Sequence, residues 1–189
     1  MSYVKQNDIL LNKLLEYYKK DASINMKKML SIINGDSRIS LRIVDWFATN
    51  YAKKHYTVYD LPDPNTVHDL KHLTRFKVYV NYKLNLKAYS KKRFDPFCRW
   101  QRITIPYEQD KYIQTTIGQL NFFKWAIQNG VVKYIEDNYS DIEADMNCRN
   151  SSAKRKPTTQ KTRKKREELS ISATKSIKKE DVEIIVEFN

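Results

Sequence analysis

Glycine and proline are scarce in this chain, with 3 and 5 copies in 189 residues. Turn-dense sandwiches and barrels consume both freely, so the shortage points to long elements joined by polar loops. Only two cysteines occur, Cys98 and Cys148, which excludes a disulfide scaffold and leaves no C-x-x-C pair for a thiolate zinc site. His68 and His72 stand i, i+4 but have no second pair to complete a ligand set. No apolar leader opens the chain and no run of about 18 apolar residues follows, so the expectation is a reducing compartment and no membrane segment. Glycine-rich phosphate loops and G-x-S-x-G elbows are missing as well. Asp45, beside Trp46, reads as a capped or salt-bridged residue rather than a general base. No catalytic residue, cofactor or metal is assigned, and the chain is not expected to be an enzyme.

What the chain does have is apolar and basic mass. An apolar share of 41%, with 12% aromatic residues, suffices for a packed core. The net charge of +13 and pI near 9.6 concern partners, not fold, and a polycation of this size most commonly meets nucleic acid. The charge lies in two places. Residues 71–102 hold ten basic side chains against Asp95 alone, whereas the rest of residues 1–150 is nearly neutral. Residues 154–166 hold eight basic residues and no acid, and residues 167–189 have three more acids than bases.

Apolar spacing predicts helices over residues 5–20 and 22–34, the second stopped by Asn34-Gly35. Residues 40–54 are read as a helix with Ser40 as N-cap, although their aromatic and β-branched density also suits a strand. A short strand is expected over Tyr56–Leu61, followed by a turn at Pro62-Asp63-Pro64-Asn65. Residues 76–89 fit both an alternating and a helical pattern, and their length favours a helix, broken by Phe94-Asp95-Pro96-Phe97. Arg102–Ile105 reads as a strand closed by Pro106. A capping box, Thr116 with Gln119, opens a largely buried helix whose polar stripe is Asn121, Lys124 and Gln128, and Asn129-Gly130 ends it. The expected fold is mainly α (α+β), a compact helical domain with a small β element. Its divisions are a globular basic domain at 1–148, a disordered basic linker or tail at 149–181, and a strand-like tip at 182–189.

Three blocks, Ser40 to Tyr51 (SLRIVDWFATNY), Leu86 to Trp100 (LKAYSKKRFDPFCRW) and Thr115 to Ile127 (TTIGQLNFFKWAI), resemble an uncharacterised protein family of large and giant DNA viruses. The resemblance spans roughly residues 38–136. It implies a viral protein acting at the host nucleus, the cytoplasmic virus factory or the virion, and carries no activity or functional residue with it.

The functional expectation is a nucleic-acid-binding accessory protein of weak sequence specificity, with DNA favoured over RNA. Its phosphate contacts are expected at Lys83, Lys87, Lys91, Lys92, Arg93, Arg99 and Arg102, with neighbouring aromatics either stacking on unpaired bases or serving as core. Arg99 and Arg102 could instead hold a turn by pairing with Asp95 or Glu108. In the tail, Lys154-Arg155-Lys156 and Arg163-Lys164-Lys165-Arg166, six residues apart, have the form of a bipartite import signal for a nuclear-import carrier and equally suit nucleic acid. The tip at Val182–Asn189 alternates apolar and acidic residues, which suits strand addition to this chain's own sheet or to a protein partner. The competing reading is a non-catalytic structural or adaptor protein of the virion or virus factory that docks on an acidic partner.

Overall fold

The computed structural model describes residues 3–20, 24–62, 73–108, 111–154 and 179–180. Helix α1 (Tyr3–Lys19) buries Leu14 and Tyr18, one turn apart, and exposes Lys13, Glu16 and Lys19. Helix α2 (Ile24–Asn34) buries Met26, Met29, Leu30 and Ile33, the i, i+3, i+4, i+7 stripe of an amphipathic helix. Gly35, at φ 82°, terminates it in the left-handed conformation that costs glycine least.

Residues 41–54 form one helical run of three parts: α3 (Leu41–Trp46), a π-helical turn (Phe47–Tyr51) and α4 (Ala52–Lys54). The Ser40 side chain caps it by accepting from the Ile43 N–H. Helix therefore prevails over strand here. Phe47, Ala48 and Ala52 face the core, and the Thr49 hydroxyl donates to the Asp45 carbonyl at 2.7 Å.

Strands β1 (Val58–Pro62) and β2 (Leu73–Lys77) form an antiparallel hairpin that aligns Tyr59 with Phe76. The expected helix over 76–89 therefore starts later, as α5 (Val78–Arg93). Phe76 and Lys77 are drawn into the sheet, where Phe76 is buried against Tyr59, and the Val78 N–H donates to the Thr57 carbonyl. The turn expected at residues 62–65 lies, beyond Pro62, outside the described residues.

A second sheet has the order β3-β4-β5, built from β3 (Arg102–Glu108), β4 (Lys111–Thr116) and β5 (Lys179–Glu180). Pro106 does not close β3. It pairs with Tyr112 and the strand continues to Glu108, with a register shift between Pro106 and Glu108. Because β3 is an edge strand, proline's missing N–H removes no obligatory ladder bond. Strand β5 lies on the other side of β4, pairing Lys179 with Ile113 and Glu180 with Tyr112. The chain thus returns to its own sheet at 179–180, and the tip at 182–189, expected to add to this sheet or to a protein partner, lies outside the described residues.

Helix α6 (Ile117–Gln128) is the centre of the fold. Residues 117–123, Trp125 and Ala126 are all buried, and the Tyr18 hydroxyl donates to the Leu120 carbonyl at 2.7 Å. Phe94, Phe122 and Trp125 meet with centroids 5.6 to 5.7 Å apart, and Tyr82 packs on the same group. Of the polar stripe expected from the sequence, Asn121 is buried, Lys124 half-buried and only Gln128 exposed. After Gly130, at φ 67°, come α7 (Val131–Asp137) and α8 (Tyr139–Lys154).

Helix α8 docks through Asp145, which accepts from Trp46 Nε1 at 3.2 Å and forms an ion pair with Lys54. Arg149 lies over the Trp46 ring and donates to Asn50 Oδ1. The folded part therefore runs past 148, the boundary expected from composition. Among the described residues, no helix is long and apolar enough to cross a membrane.

Candidate functional site

A cleft of about 740 Å³ opens between the α3/π-helical run, α5 and the turn that follows α5. Asp45 and Thr49 line it from the first; Tyr82, Leu86, Lys91 and Lys92 from the second; Asp95, Phe97, Cys98 and Arg99 from the third. The volume falls within the roughly 300–1,000 Å³ of ordinary small-ligand sites.

The π-helical turn belongs to the chemistry of this wall. Such turns recur beside functional sites because the extra residue re-aims side chains without ending the helix. Here Asp45 and Thr49 reach the cleft while Phe47 and Ala48 stay in the core. Among the described residues the Asp45 carboxylate has no hydrogen-bond or ion-pair partner, so it is neither capped nor salt-bridged as the sequence suggested. Burial, and then the negative charge of Asp95, push it from 3.8 to about 7, against the opposing effect of Lys91. At neutral pH it can either donate or accept a proton in a hydrogen bond. Burial, with the charges of Asp45 and Asp95, pushes the Tyr82 phenol up to about 12.

The opposite wall, residues 91–101, is irregular and held largely by polar groups. Ser90 has φ 63° and ψ 164°, which ends the regular helix before Lys91. Asp95 shapes the turn that follows. Its Oδ1 accepts from the Phe97 N–H at 2.7 Å, its carbonyl accepts from the Cys98 N–H, and Lys91 Nζ stands 3.5 Å from its Oδ2. Pro96, as the second residue of this turn, has the backbone angle already set.

The first turns of α6 support this wall from beneath. Gln119 Nε2 donates to the Pro96 carbonyl at 3.0 Å, Asn121 Nδ2 donates to the Arg93 carbonyl at 3.0 Å, and the Thr116 hydroxyl donates to the Cys98 carbonyl. Thr116 caps α6 as expected, accepting from the Gln119 N–H. Gln119 Oε1 accepts from the Thr115 hydroxyl at 3.0 Å. Gly118 is required by proximity: a Cβ there would stand 3.0 Å from both Cys98 Cβ and the Lys92 carbonyl, and 3.1 Å from the Asp95 carbonyl. On the α1 side, buried Asn7 accepts from Arg93 Nε at 2.8 Å and donates to Gln101 Oε1.

The sequence-predicted contact residues divide accordingly. Lys91, Lys92 and Arg99 converge on the cleft, all exposed, with Lys92 Nζ 4.6 Å from the Trp100 ring centroid. Lys83 and Lys87 are exposed on α5 outside the cleft lining. Arg102, exposed on β3, donates to Gln114, not to Asp95. Arg93 is half-buried and tied to Asn7 and Gln6, so it positions the wall from inside rather than offering itself to a ligand. Of the aromatics in this stretch, Phe76, Tyr82 and Phe94 are core, while Phe97 and Trp100 are half-buried. Lys154 ends α8, and Arg155, Lys156, Arg163, Lys164, Lys165 and Arg166 lie outside the described residues, as do His68 and His72. Among the described residues, no three His, Cys, Asp or Glu side chains are grouped to hold a metal ion.

Charge alone marked the three cations. Asp45, Asn7, Gln119 and Asn121 were missed as parts of the site, because a polar residue in an apolar run carries no sign of which neighbour it will meet. One signal was available: Asp45 lies in the first of the three blocks that carry the viral resemblance, and those blocks meet here as the π-helical wall, the loop wall and its support.

The chain belongs to a family of unknown function, DUF7197, whose model matches residues 3–189. Within that class it is similar to the uncharacterized protein L507 of Acanthamoeba polyphaga mimivirus, 39% identical over 163 residues. That match covers 82% of this chain and 57% of the relative, so the chain spans little more than half of the relative's length. The resemblance to uncharacterised giant-virus proteins is therefore a family relationship. No solved structure matches the chain.

Proposed function

We propose that this protein binds nucleic acid without catalysing a reaction, gripping the sugar–phosphate backbone with Lys91, Lys92 and Arg99 at the cleft. The observation that carries the reading is the convergence of these three exposed cations on one concave surface whose backbone is held from below by Thr116, Gln119 and Asn121. Phosphate contacts of this kind release counterions and bind any sequence, so specificity is weak. Lys83, Lys87 and Arg102, exposed on adjoining elements, extend the track. The basic residues of 154–166 add a second nucleic-acid contact or an import signal.

The test is the salt dependence of binding to a short DNA probe. Each lost phosphate contact lowers the slope of log K against log salt by about 0.7 to 0.9. A triple variant, Lys91→Ala with Lys92→Ala and Arg99→Ala, should therefore lower the slope by about 2 to 3. An unchanged slope would place the interface elsewhere. The adaptor reading is favoured by one feature, the exposed Val80 and Leu84 one turn apart on α5, and a Val80→Ser, Leu84→Ser variant that keeps DNA affinity but loses a viral protein partner would support it.

A further inference from the structure

Phosphate binding alone does not account for the shape and lining of the cleft. A backbone track needs cations and a shallow surface, whereas this cavity is lined from three elements and carries the Asp45 carboxyl on the helical side, away from the cations. Lys91, Lys92 and Arg99 lie on the loop side and at the end of α5, and Asp45 and Thr49 lie on the helical side. The cleft is also lined by half-buried Phe97 of the loop side and by Leu86 and Tyr82 of α5. A phosphate placed against Asp45 would be repelled once the carboxyl ionises. Whatever occupies that side should be planar, uncharged and rich in hydrogen-bond donors and acceptors.

We infer that the cleft receives a single unpaired nucleotide of a nucleic-acid strand, its phosphate on Lys91, Lys92 and Arg99, its base against Phe97, and its hydrogen-bonding edge towards Asp45 and Thr49. The inference rests on the backbone contact proposed above and adds to it a preference for single strands. In a duplex the base edges facing their partners are already paired, and a base must leave the stack to enter a pocket of this kind. A carboxylate can accept from the amino group of cytosine, and a carboxyl that is protonated near neutrality can also donate to a ring nitrogen or carbonyl. The Thr49 hydroxyl gives its proton to the Asp45 carbonyl and accepts from Asn50 Nδ2, which leaves it one lone pair to accept from a donor on the base. Phe97 offers a stacking face that suits every base, so the expected selectivity is for an unpaired base rather than for a sequence.

The loop side is built to hold such a ligand in place. Its carbonyls at 93, 96 and 98 are each engaged by α6 side chains, and Gly118 lets the turn sit directly on the helix. Preorganisation of this kind reduces the ordering cost of binding.

Fluorescence anisotropy with three probes separates the two claims: a short single-stranded DNA, the same strand with abasic sites throughout its central part, and the corresponding duplex. The intact protein should bind the single strand about tenfold or more tighter than the abasic strand, as the loss of base stacking implies. Asp45→Asn and Phe97→Leu should each shrink that ratio while leaving abasic and duplex affinities unchanged. The triple cation variant should weaken all three. As a readout that needs no variant, photocrosslinking of the intact protein to a strand carrying 5-iodouracil should label the peptide containing Tyr82 or Phe97. Equal affinity for the intact and abasic strands, or labelling confined to other peptides, would overturn the nucleotide pocket yet leave the backbone reading standing. Absence of salt-dependent binding to any probe would overturn both.

Discussion

The two walls of the cleft are made by opposite means. The helical wall is held by apolar packing: Phe47 and Ala48 are fully buried and Ala52 nearly so, and the Phe47 ring packs, tilted, against Tyr51 and Tyr134. The loop wall is anchored by buried Phe94, with Phe97 packed against the core, and its backbone and Arg93 are held by hydrogen bonds from Asn7, Thr116, Gln119 and Asn121. Apolar packing is strong and non-directional, whereas hydrogen bonds contribute modestly but fix atoms in place. The wall that carries the cations is thus the one whose geometry, not whose bulk, has been specified.

The largest effect should come from the apolar wall. Phe47→Ala removes a side chain with no exposed surface and should cost about 3 to 5 kcal/mol in chemical denaturation. If the loss is below about 1 kcal/mol, this wall is not held by packing and the contrast fails.

Next in size is a pH effect confined to the same wall. The folded chain keeps the Asp45 carboxyl protonated up to about pH 7, while in the unfolded chain it ionises near 3.8. The folded state therefore binds the additional proton between these values, and stability falls as pH rises through that window. Asp45→Asn removes the ionisation. Its stability should match that of the parent near pH 4 and exceed it above pH 7 by an amount on the order of 2 to 4 kcal/mol. A parent-to-variant difference that stays flat from pH 4 to pH 8 would show that the carboxyl is solvated.

The polar wall should break more gently and more specifically. Gln119→Leu leaves the Pro96 carbonyl without its donor and Thr115 without its acceptor. The expected cost is about 1 to 3 kcal/mol, together with faster amide exchange across residues 93–98 and weaker DNA binding. Exchange that rises uniformly over the whole domain would mean that Gln119 supports the core and not the wall.

This contrast also explains what could be read in advance. Helices α1, α2 and α6 follow apolar spacing, and Leu14 with Tyr18 or Met26 with Met29 and Ile33 are where that spacing puts them. The junction at Val78 was illegible because Phe76 and Val78 satisfy the strand and helix patterns alike, and only the cross-strand partner Tyr59 decides between them. Pro106 misled because sequence does not say which strand will be at an edge. In the site, Lys91, Lys92 and Arg99 declared themselves by charge, whereas Asn121 and Gln119 are chemically identical to exposed amides until the turn folds onto them. Arg93 shows the same limit from the other side: a basic residue in a basic run, it is spent on Asn7.

The smallest predicted effect bears on how the two walls are joined. Ser90 lies between the regular part of α5 and the cationic end, at φ 63° and ψ 164°, a region that side chains other than glycine's rarely adopt. Its side chain is exposed, so a glycine here would remove strain without removing a packed group. Ser90→Gly relieves strain on the order of 1 to 3 kcal/mol, offset by the roughly 0.5 to 1 kcal/mol of extra chain entropy that glycine loses on folding. The net expectation is a gain of about 1 kcal/mol in thermal or chemical denaturation, with DNA affinity unchanged because Lys91 and Lys92 keep their positions. Ser90→Ala, which retains the Cβ and the strain, should show no such gain. If glycine destabilises as alanine does, the conformation is not strained, and the break in α5 is set by the polar wall pulling on Lys92 and Arg93 rather than accommodated at Ser90.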